Sequence, residues 1–523
     1  MSLLKPVFLN QAVIVRLAIA LFSGILMGLA TAPVNAWPLA WIALVPLWIL
    51  VVKGHKRGLK CSCLLGLTWG VGYHGFALSW ITGIHPMTWM GIPWLASLAI
   101  ALFCWSFITF WGAVIVTVWS GAMAWLASSW QSPAGRILLG VSLWCSLEWL
   151  CSQSPLWWTS VSYTQSPGNL VILHLGQLSG PLTVTAALIA VNGLIAEAFL
   201  QVNRHWRDLG LAASLLVCLH LLGWSLSSCP LAQPPATALQ VGIIQGNIPN
   251  EIKLYSAGWQ QALQGYTRGY RALVDQGVEA VLTPEGALPF VWTSADIQNS
   301  SFYQAILERR IVAWVGAYGQ QGEKITNSLF TVTGKGEIFS RYDKEKLVPL
   351  GEYIPFENFL GKFVDRLSPL ESHMAAGSPH QIFDTPVGRA IVSICYESAF
   401  PDHFQSQAAA GGEFILSAAN NAHYRPTMPA QHHAQDVMRA IETDRWAVRA
   451  TNTGYSGIVD PHGKTRWLSG LRTYEIHPHT IYRRQTRTPY VRWGNWLTPL
   501  LIVLSLGVWM IEKKLNFLMS LLI

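Results

Sequence analysis

The sequence predicts a two-part membrane protein: an α-helical bundle of about eight spans carrying one layered α/β domain in water. Distribution is the first sign. Charged residues make up only 12% of the 523 positions, Trp numbers 26, and the polar residues gather between about 238 and 490, with long apolar tracts on either side. The second sign is that the polar stretch alternates strand-like and helix-like runs. The third is length, which at about 150 residues per domain calls for more than one unit. The expected division is a seven-helix bundle over 1–228, a water-facing domain over 229–490, and a last helix with its tail over 491–523.

Seven tracts with roughly the 20 residues that a crossing requires precede the polar stretch. They lie near 12–31, 36–52, 60–81, 92–123, 135–151, 168–200 and 209–228. The fourth and sixth are longer than one crossing, which tilt or an interfacial extension accommodates. Arg16 and the lack of a small-residue cleavage site favour a retained anchor over a removed signal. Counted this way, Lys5, Lys53, Lys56, Arg57, Lys60, Arg136, Arg204 and Arg207 share one side. Thr31 to Asn35, Thr82 to Met90 and Ser152 to Gln165, on the other side, contain no Lys or Arg. The basic side is therefore expected to be cytoplasmic and residues 229–490 to lie outside the cytoplasm. A last tract, Trp493 to Ile511, followed by Lys513 and Lys514, returns the C-terminus to the cytoplasm. These loop positions account for much of the net charge of +8, and no basic stripe suits nucleic acid. Glu148 and Glu197, in or near the tracts, are read as interfacial or paired groups with no assigned role.

In the polar stretch, Ala238–Ile244 reads as a strand, Gly258–Gln276 as a helix, and Ala280–Thr283 and Ile311–Tyr318 as strands. Ser328–Thr333 and Ile338–Tyr342 flank Gly334-Lys335-Gly336-Glu337 as a hairpin. A β-branched run leads into Cys395, and Ser398–Ala410 reads as the helix after it. Then come a strand at Phe414–Ser417, a long helix over Pro429–Arg449, and two strands about the turn Asp460-Pro461-His462-Gly463.

Seven of the eight cysteines fall in, beside or just past apolar tracts, so Cys395 is the one thiol of the polar stretch and a disulfide framework there is excluded. It sits at the carboxyl end of its strand, where open α/β sheets bind ligands. A thiol at its usual pKa near 8.5 requires a base to become a nucleophile. Glu285, in Thr283-Pro284-Glu285-Gly286, could take that proton. Lys344 or Lys346, in Tyr342-Asp343-Lys344-Glu345-Lys346, could hold a positive charge over a developing oxyanion, with the Tyr396 N–H as a second donor. The alternatives are a buried hydrophobe for Cys395, a capping acid for Glu285 and a solvated charge run for the lysines.

In these settings Glu285, Lys344 and Cys395 resemble the Glu-Lys-Cys triad of the nitrilase, or carbon-nitrogen hydrolase, superfamily. With spans before and after, the chain resembles its membrane-bound branch, the apolipoprotein N-acyltransferase family. The matching motifs are Gln245-Gly246-Asn247-Ile248-Pro249, Pro284-Glu285-Gly286-Ala287-Leu288-Pro289, Lys344 through Leu347-Val348-Pro349-Leu350-Gly351-Glu352-Tyr353-Ile354-Pro355, Ile394-Cys395-Tyr396-Glu397 and Arg449-Ala450-Thr451-Asn452-Thr453-Gly454. The resemblance selects Lys344, eight residues before Glu352, over Lys346.

It implies a nitrilase-like αββα sandwich and acyl transfer from a membrane phospholipid, through a Cys395 thioester, to the α-amine of a diacylglyceryl apolipoprotein. It further implies a bacterial inner-membrane monomer facing the periplasm, with no cofactor and no metal. Glu352 and Glu397 would orient Lys344 and shape the pocket, Tyr396 would position the donor amide, and Glu352–Leu370 would form an arm over the site. A membrane-anchored amidase or nitrilase acting on a small substrate is the alternative. Two departures bear on substrate contacts. Lys253-Leu254-Tyr255 stands where the family often has tryptophan, and Asn420-Asn421-Ala422-His423-Tyr424 stands for a common Asn-Asp-x-Trp-Phe.

Overall fold

The computed structural model describes residues 11–54, 57–126, 130, 132–201, 205–253, 255–292, 295–349, 351–353 and 374–522. Lys5, Lys56, Arg204, Leu254 and nearly all of the expected arm, from Ile354 on, lie outside the described residues.

Among the described residues, six helices are long and apolar enough to cross a membrane: α1 (Gln11–Leu29), α2 (Trp37–Gly54), α4 (Trp94–Leu126), α5 (Pro133–Ser152), α6 (Pro181–Leu200) and α7 (His205–Ser227). Between α2 and α4 runs α3 (Leu59–Ala77), whose glycines let it nestle between its neighbours. A Cβ at Gly72 would meet the Leu21 carbonyl of α1 at 2.5 Å, and one at Gly66 the Val116 carbonyl of α4 at 2.5 Å. The sixth expected tract, residues 168–200, divides into two short turns, Leu170–Leu173 and Gly176–Ser179, followed by α6. Gly180, at φ 77°, breaks the chain and Pro181 starts the new helix.

The carboxylates Glu148 and Glu197 inside the bundle both have polar partners. Glu197 takes an ion pair from Arg136 at 2.5 Å, and Glu148 accepts from Ser160 Oγ, Thr185 Oγ1 and the Val161 N–H at 2.8–2.9 Å.

The α/β domain is a four-layer sandwich. Its first sheet holds β1 (Ala238–Gln245), β2 (Ala280–Leu282), β3 (Leu288–Val291), β4 (Val312–Gln321), β5 (Lys324–Val332) and β6 (Ile338–Asp343), closed at one edge by the C-terminal strand Glu475–Tyr482. The second sheet runs in spatial order from β7 (Phe383–Thr385) and β8 (Gly388–Ile394) through β9 (Phe414–Ala419) and β10 (Ala447–Thr451) to β11 (Gly457–Val459) and β12 (Thr465–Leu468). The strand Glu475–Tyr482 is thus β13.

Alternation along the strands explains the layering. Val241, Ile243, Leu282 and Trp314 face Val392, Ile394, Leu416 and Val448 between the sheets. On the outer face of the first sheet, Val281, Ala313 and Val315 cover α8 (Ser256–Val274) and α9 (Ser301–Arg309). On the outer face of the second, Ile391, Ile415 and Ala447 cover α10 (Pro401–Ala409) and α11 (Thr427–Thr443).

Two helical expectations are corrected. The helix after Cys395 begins at Pro401, preceded by one 3₁₀ turn over Cys395–Ala399. The long helix ends at Thr443 instead of Arg449, because Asp444 turns left-handed at φ 55° and Ala447–Thr451 enters the sheet. After β13 the chain re-enters the bundle as α12 (Leu497–Leu522), where Leu501 and Val508 join the bundle core.

Candidate active site

β8 delivers Cys395 to the carboxyl edge of the second sheet, where the backbone turns left-handed at φ 51°. A bulky L-residue rarely holds that conformation, so surrounding contacts must enforce it. The first sheet supplies the facing groups. Glu285 follows β2 in a loop so close to β4 that a Cβ at Gly316 would strike the Pro284 carbonyl at 1.9 Å. Lys344 follows β6.

The ammonium of Lys344, 1% exposed, lies 3.1 Å from Glu285 Oε1 and 2.9 Å from Glu352 Oε1. Asn327 of β5 donates to the same two oxygens at 2.7 and 2.8 Å, and the Val348 N–H donates to Glu352 Oε2 at 2.7 Å. The Asn420 N–H donates to Glu285 Oε2 at 2.8 Å, and the charges of Glu285 and Lys344 both act on the Cys395 thiol. Acid, ammonium and thiol, far apart in sequence, therefore share one pocket.

Electrostatics follow from burial and this pairing. Burial pushes the Cys395 thiol up to about 12, and the Glu285 charge adds to this while Lys344 opposes it. Burial also favours a neutral Glu285, but Lys344, Asn327 and Lys253 together outweigh it and hold the carboxyl below its usual range. Burial alone would strip the Lys344 proton, whereas Glu285 and Glu352 keep it firmly charged. The resting arrangement is a neutral thiol beside a carboxylate, so a free thiolate is uphill and the proton must leave as the sulfur attacks.

The remaining expected residues divide. Glu352 touches Lys344 directly. Glu397 acts on the main chain instead: its Oε1 accepts the Glu345 N–H at 2.6 Å and the Lys346 N–H at 3.1 Å, and its Oε2 accepts the Ile394 N–H at 2.7 Å. It thereby ties the end of β8 to the segment that carries Lys344. The Tyr396 ring lies parallel to Trp158 at 6.1 Å, and its hydroxyl reaches the carbonyls of Pro155 and Trp157 in the loop after α5.

Three contributors escaped the sequence reading. Asn327 is a lone amide in an apolar strand, a signal visible in Thr326-Asn327-Ser328 but placed outside the expected hairpin. Lys253, in one of the departures, is buried with Nζ 3.2 Å from the Glu285 carbonyl, and burial lowers its ammonium to about 8. His432 of α11 has no local signal at all. Its Nε2 lies 2.7 Å from the Cys395 carbonyl. In the other departure, His423 accepts from Asn250 Nδ2 at 2.6 Å and stacks on Trp89, and Tyr424 meets Trp80 edge-on. Among the described residues, no group of three or more His, Cys, Asp or Glu is disposed to hold a metal ion.

Both parts of the chain match known families. Residues 23–194 match the apolipoprotein N-acyltransferase N-terminal domain, and residues 240–482 match the carbon-nitrogen hydrolase family. Among solved structures, an amidase from Nesterenkonia sp. aligns with 50% of this chain and 95% of its own, at 17% identity and a TM-score of 0.38. An apolipoprotein N-acyltransferase of Nostoc sp. (strain PCC 7120) is 60% identical over 92% of this chain and 97% of its own. One from Synechocystis sp. (strain PCC 6803) is 50% identical over 93% and 98%. Likeness at that level, sustained through both the bundle and the sandwich, makes this chain a member of the apolipoprotein N-acyltransferase family.

Proposed function

We propose that this protein moves a fatty acyl group from the sn-1 ester of a membrane phospholipid to the α-amine of the diacylglyceryl-cysteine of an apolipoprotein, with Cys395 as the nucleophile. The observation that carries this reading is the buried Lys344 ammonium, 3.1 Å from a Glu285 carboxylate that it holds charged, with the Cys395 thiol close enough to feel both charges.

In the first half-reaction Cys395 Sγ forms a bond to the ester carbonyl carbon as its proton passes to Glu285. Lys344 and the Tyr396 N–H face the oxyanion that develops. Collapse breaks the C–O bond, the leaving alkoxide takes the proton from Glu285, and a lysophospholipid departs from the thioester. In the second, the apolipoprotein amine attacks the thioester, its proton goes to Glu285, and C–S cleavage returns that proton to sulfur. Glu352 aims the Lys344 ammonium, while Glu397 and Tyr396 fix the main chain about the thiol.

Membrane attachment suits two lipid-tailed substrates. In this reading α3 and α12 join the six apolar helices as crossings, and the divisions 1–228, 229–490 and 491–523 separate bundle, catalytic domain and final helix. The loop charges favour a sandwich outside the cytoplasm with both termini cytoplasmic, and the family resemblance adds the bacterial inner membrane, the periplasmic side and a monomer as the working unit.

The test is mass spectrometry of the purified protein after incubation with phospholipid vesicles alone. An acyl-sized mass increase on the peptide bearing Cys395, absent in Cys395→Ala, is expected. Acyl transfer to a lipopeptide by Cys395→Ala would overturn the mechanism.

A further inference from the structure

His432 holds the peptide that follows the thiol. A carbonyl oxygen can only accept, so the 2.7 Å contact to the Cys395 oxygen requires the proton on Nε2. Nδ1 is then an acceptor and receives Asn421 Nδ2 at 3.2 Å. Burial and the nearby Arg449 hold the ring well below the usual histidine range, which keeps it in this single neutral form. The ring is fully buried, with Trp158 against it at 5.9 Å. Trp158 is the same indole that lies parallel to Tyr396.

The consequence is geometric. In a trans peptide the carbonyl and the next N–H point in opposite directions within one rigid plane. Fastening the Cys395 carbonyl toward α11 therefore aims the Tyr396 N–H the other way. At Cys395 this matters more than elsewhere, because φ there is 51° and a relaxed backbone would rotate the plane.

We infer that His432 is a positioning residue: by holding the Cys395 carbonyl, it directs the Tyr396 N–H at the oxyanion formed during acyl transfer. The inference rests on Cys395 being the acylated nucleophile, as proposed above.

The test compares two reactions of the same sulfur in the full-length protein. Acylation by phospholipid passes through an oxyanion; alkylation by iodoacetamide does not. His432→Leu is expected to slow single-turnover acyl-enzyme formation about 10²–10³-fold, the usual loss for one oxyanion donor, to lower kcat with KM little changed, and to leave alkylation within about 3-fold of wild type. His432→Gln, which keeps a donor, should recover acylation to within about 10-fold.

An equal fall in acylation and alkylation in His432→Leu would reduce His432 to a structural residue and overturn the inference. So would wild-type acylation by His432→Leu, or acylation by a folded His432→Gln no faster than by His432→Leu. Failure of the wild-type protein itself to form an acyl adduct on Cys395 is a different result, and it removes the thioester reading as well.

Discussion

The two sides of the site are held in opposite ways. On the first sheet, Glu285, Lys344, Glu352 and Asn327 lock one another through side chains at 2.7–3.1 Å. On the second, Cys395 is placed by its main chain: a left-handed turn, a carbonyl held by His432, and Glu397 on the N–H groups of Ile394 and Glu345. The charged side draws its partners from the sandwich, whereas the thiol side leans on the bundle, where Tyr396 is seated on Trp158 and the carbonyls of Pro155 and Trp157. Charge can be set by a few neighbours within one domain, but the aim of a nucleophile needs a scaffold that spans both.

The largest expected effect falls on the charged side. Lys344→Met leaves Glu285 and Glu352 facing each other with no cation bonded to either carboxylate. Unfolding free energy should drop by about 3–5 kcal/mol, as for other broken buried pairs, and acyl-enzyme formation should fall by about 10³-fold. Thermal unfolding in detergent and single-turnover mass spectrometry measure the two.

Glu285→Gln keeps the shape and removes the base. Acylation should fall by a comparable factor, about 10³-fold, with a smaller loss of stability. Equal unfolding shifts in the two variants would break the picture of Lys344 as the hub.

Lys253 sharpens the comparison with the opposite sign. Burial drops its ammonium from 10.5 to about 8. The unfolded chain therefore keeps the proton to higher pH, and stability rises as pH climbs from 8 to 10.5. Below that window the fold carries an unfavourable buried charge, so Lys253→Met should stabilise the protein at pH 7 by about 3 kcal/mol. The advantage should shrink through the window, as unfolding measured across pH would reveal.

The smallest effect is on the thiol side. Tyr396→Phe removes one hydroxyl from the bundle loop and should lower stability by about 1 kcal/mol, with acylation slowed only as far as the turn loosens.

The sequence made Glu285, Lys344 and Cys395 legible because each ends a strand inside a short motif with fixed spacing. The apolar bundle and the strand periodicity were legible for the same reason, since burial imposes a local pattern. What lay beyond reach was set by tertiary contact. His432 acts across 37 residues on a carbonyl, an interaction that leaves no mark on the local pattern. The overrun of the long helix has a local cause: Ala447 to Thr451 is buried throughout, which hides the period of a strand, and the stop at Asp444 is not a glycine. β13 went unread because His477 and His479 make an apolar alternation look polar, whereas Gly180-Pro181 was a break that the apolar tract around it concealed.

Many of the hydrogen bonds between sandwich and bundle end on peptide oxygens. Tyr163 donates to Ala399, Ser166 to Ala434, Gln431 to Ala32 and Ala77, and Tyr396 to Pro155 and Trp157. A peptide oxygen is present whatever side chain evolution installs there, so sequence drift at those acceptor positions leaves the seam intact. Exchange of the whole sandwich between distant relatives should then yield hybrids that still assemble, provided the donors Tyr163, Ser166, Tyr396 and Gln431 travel with their own halves.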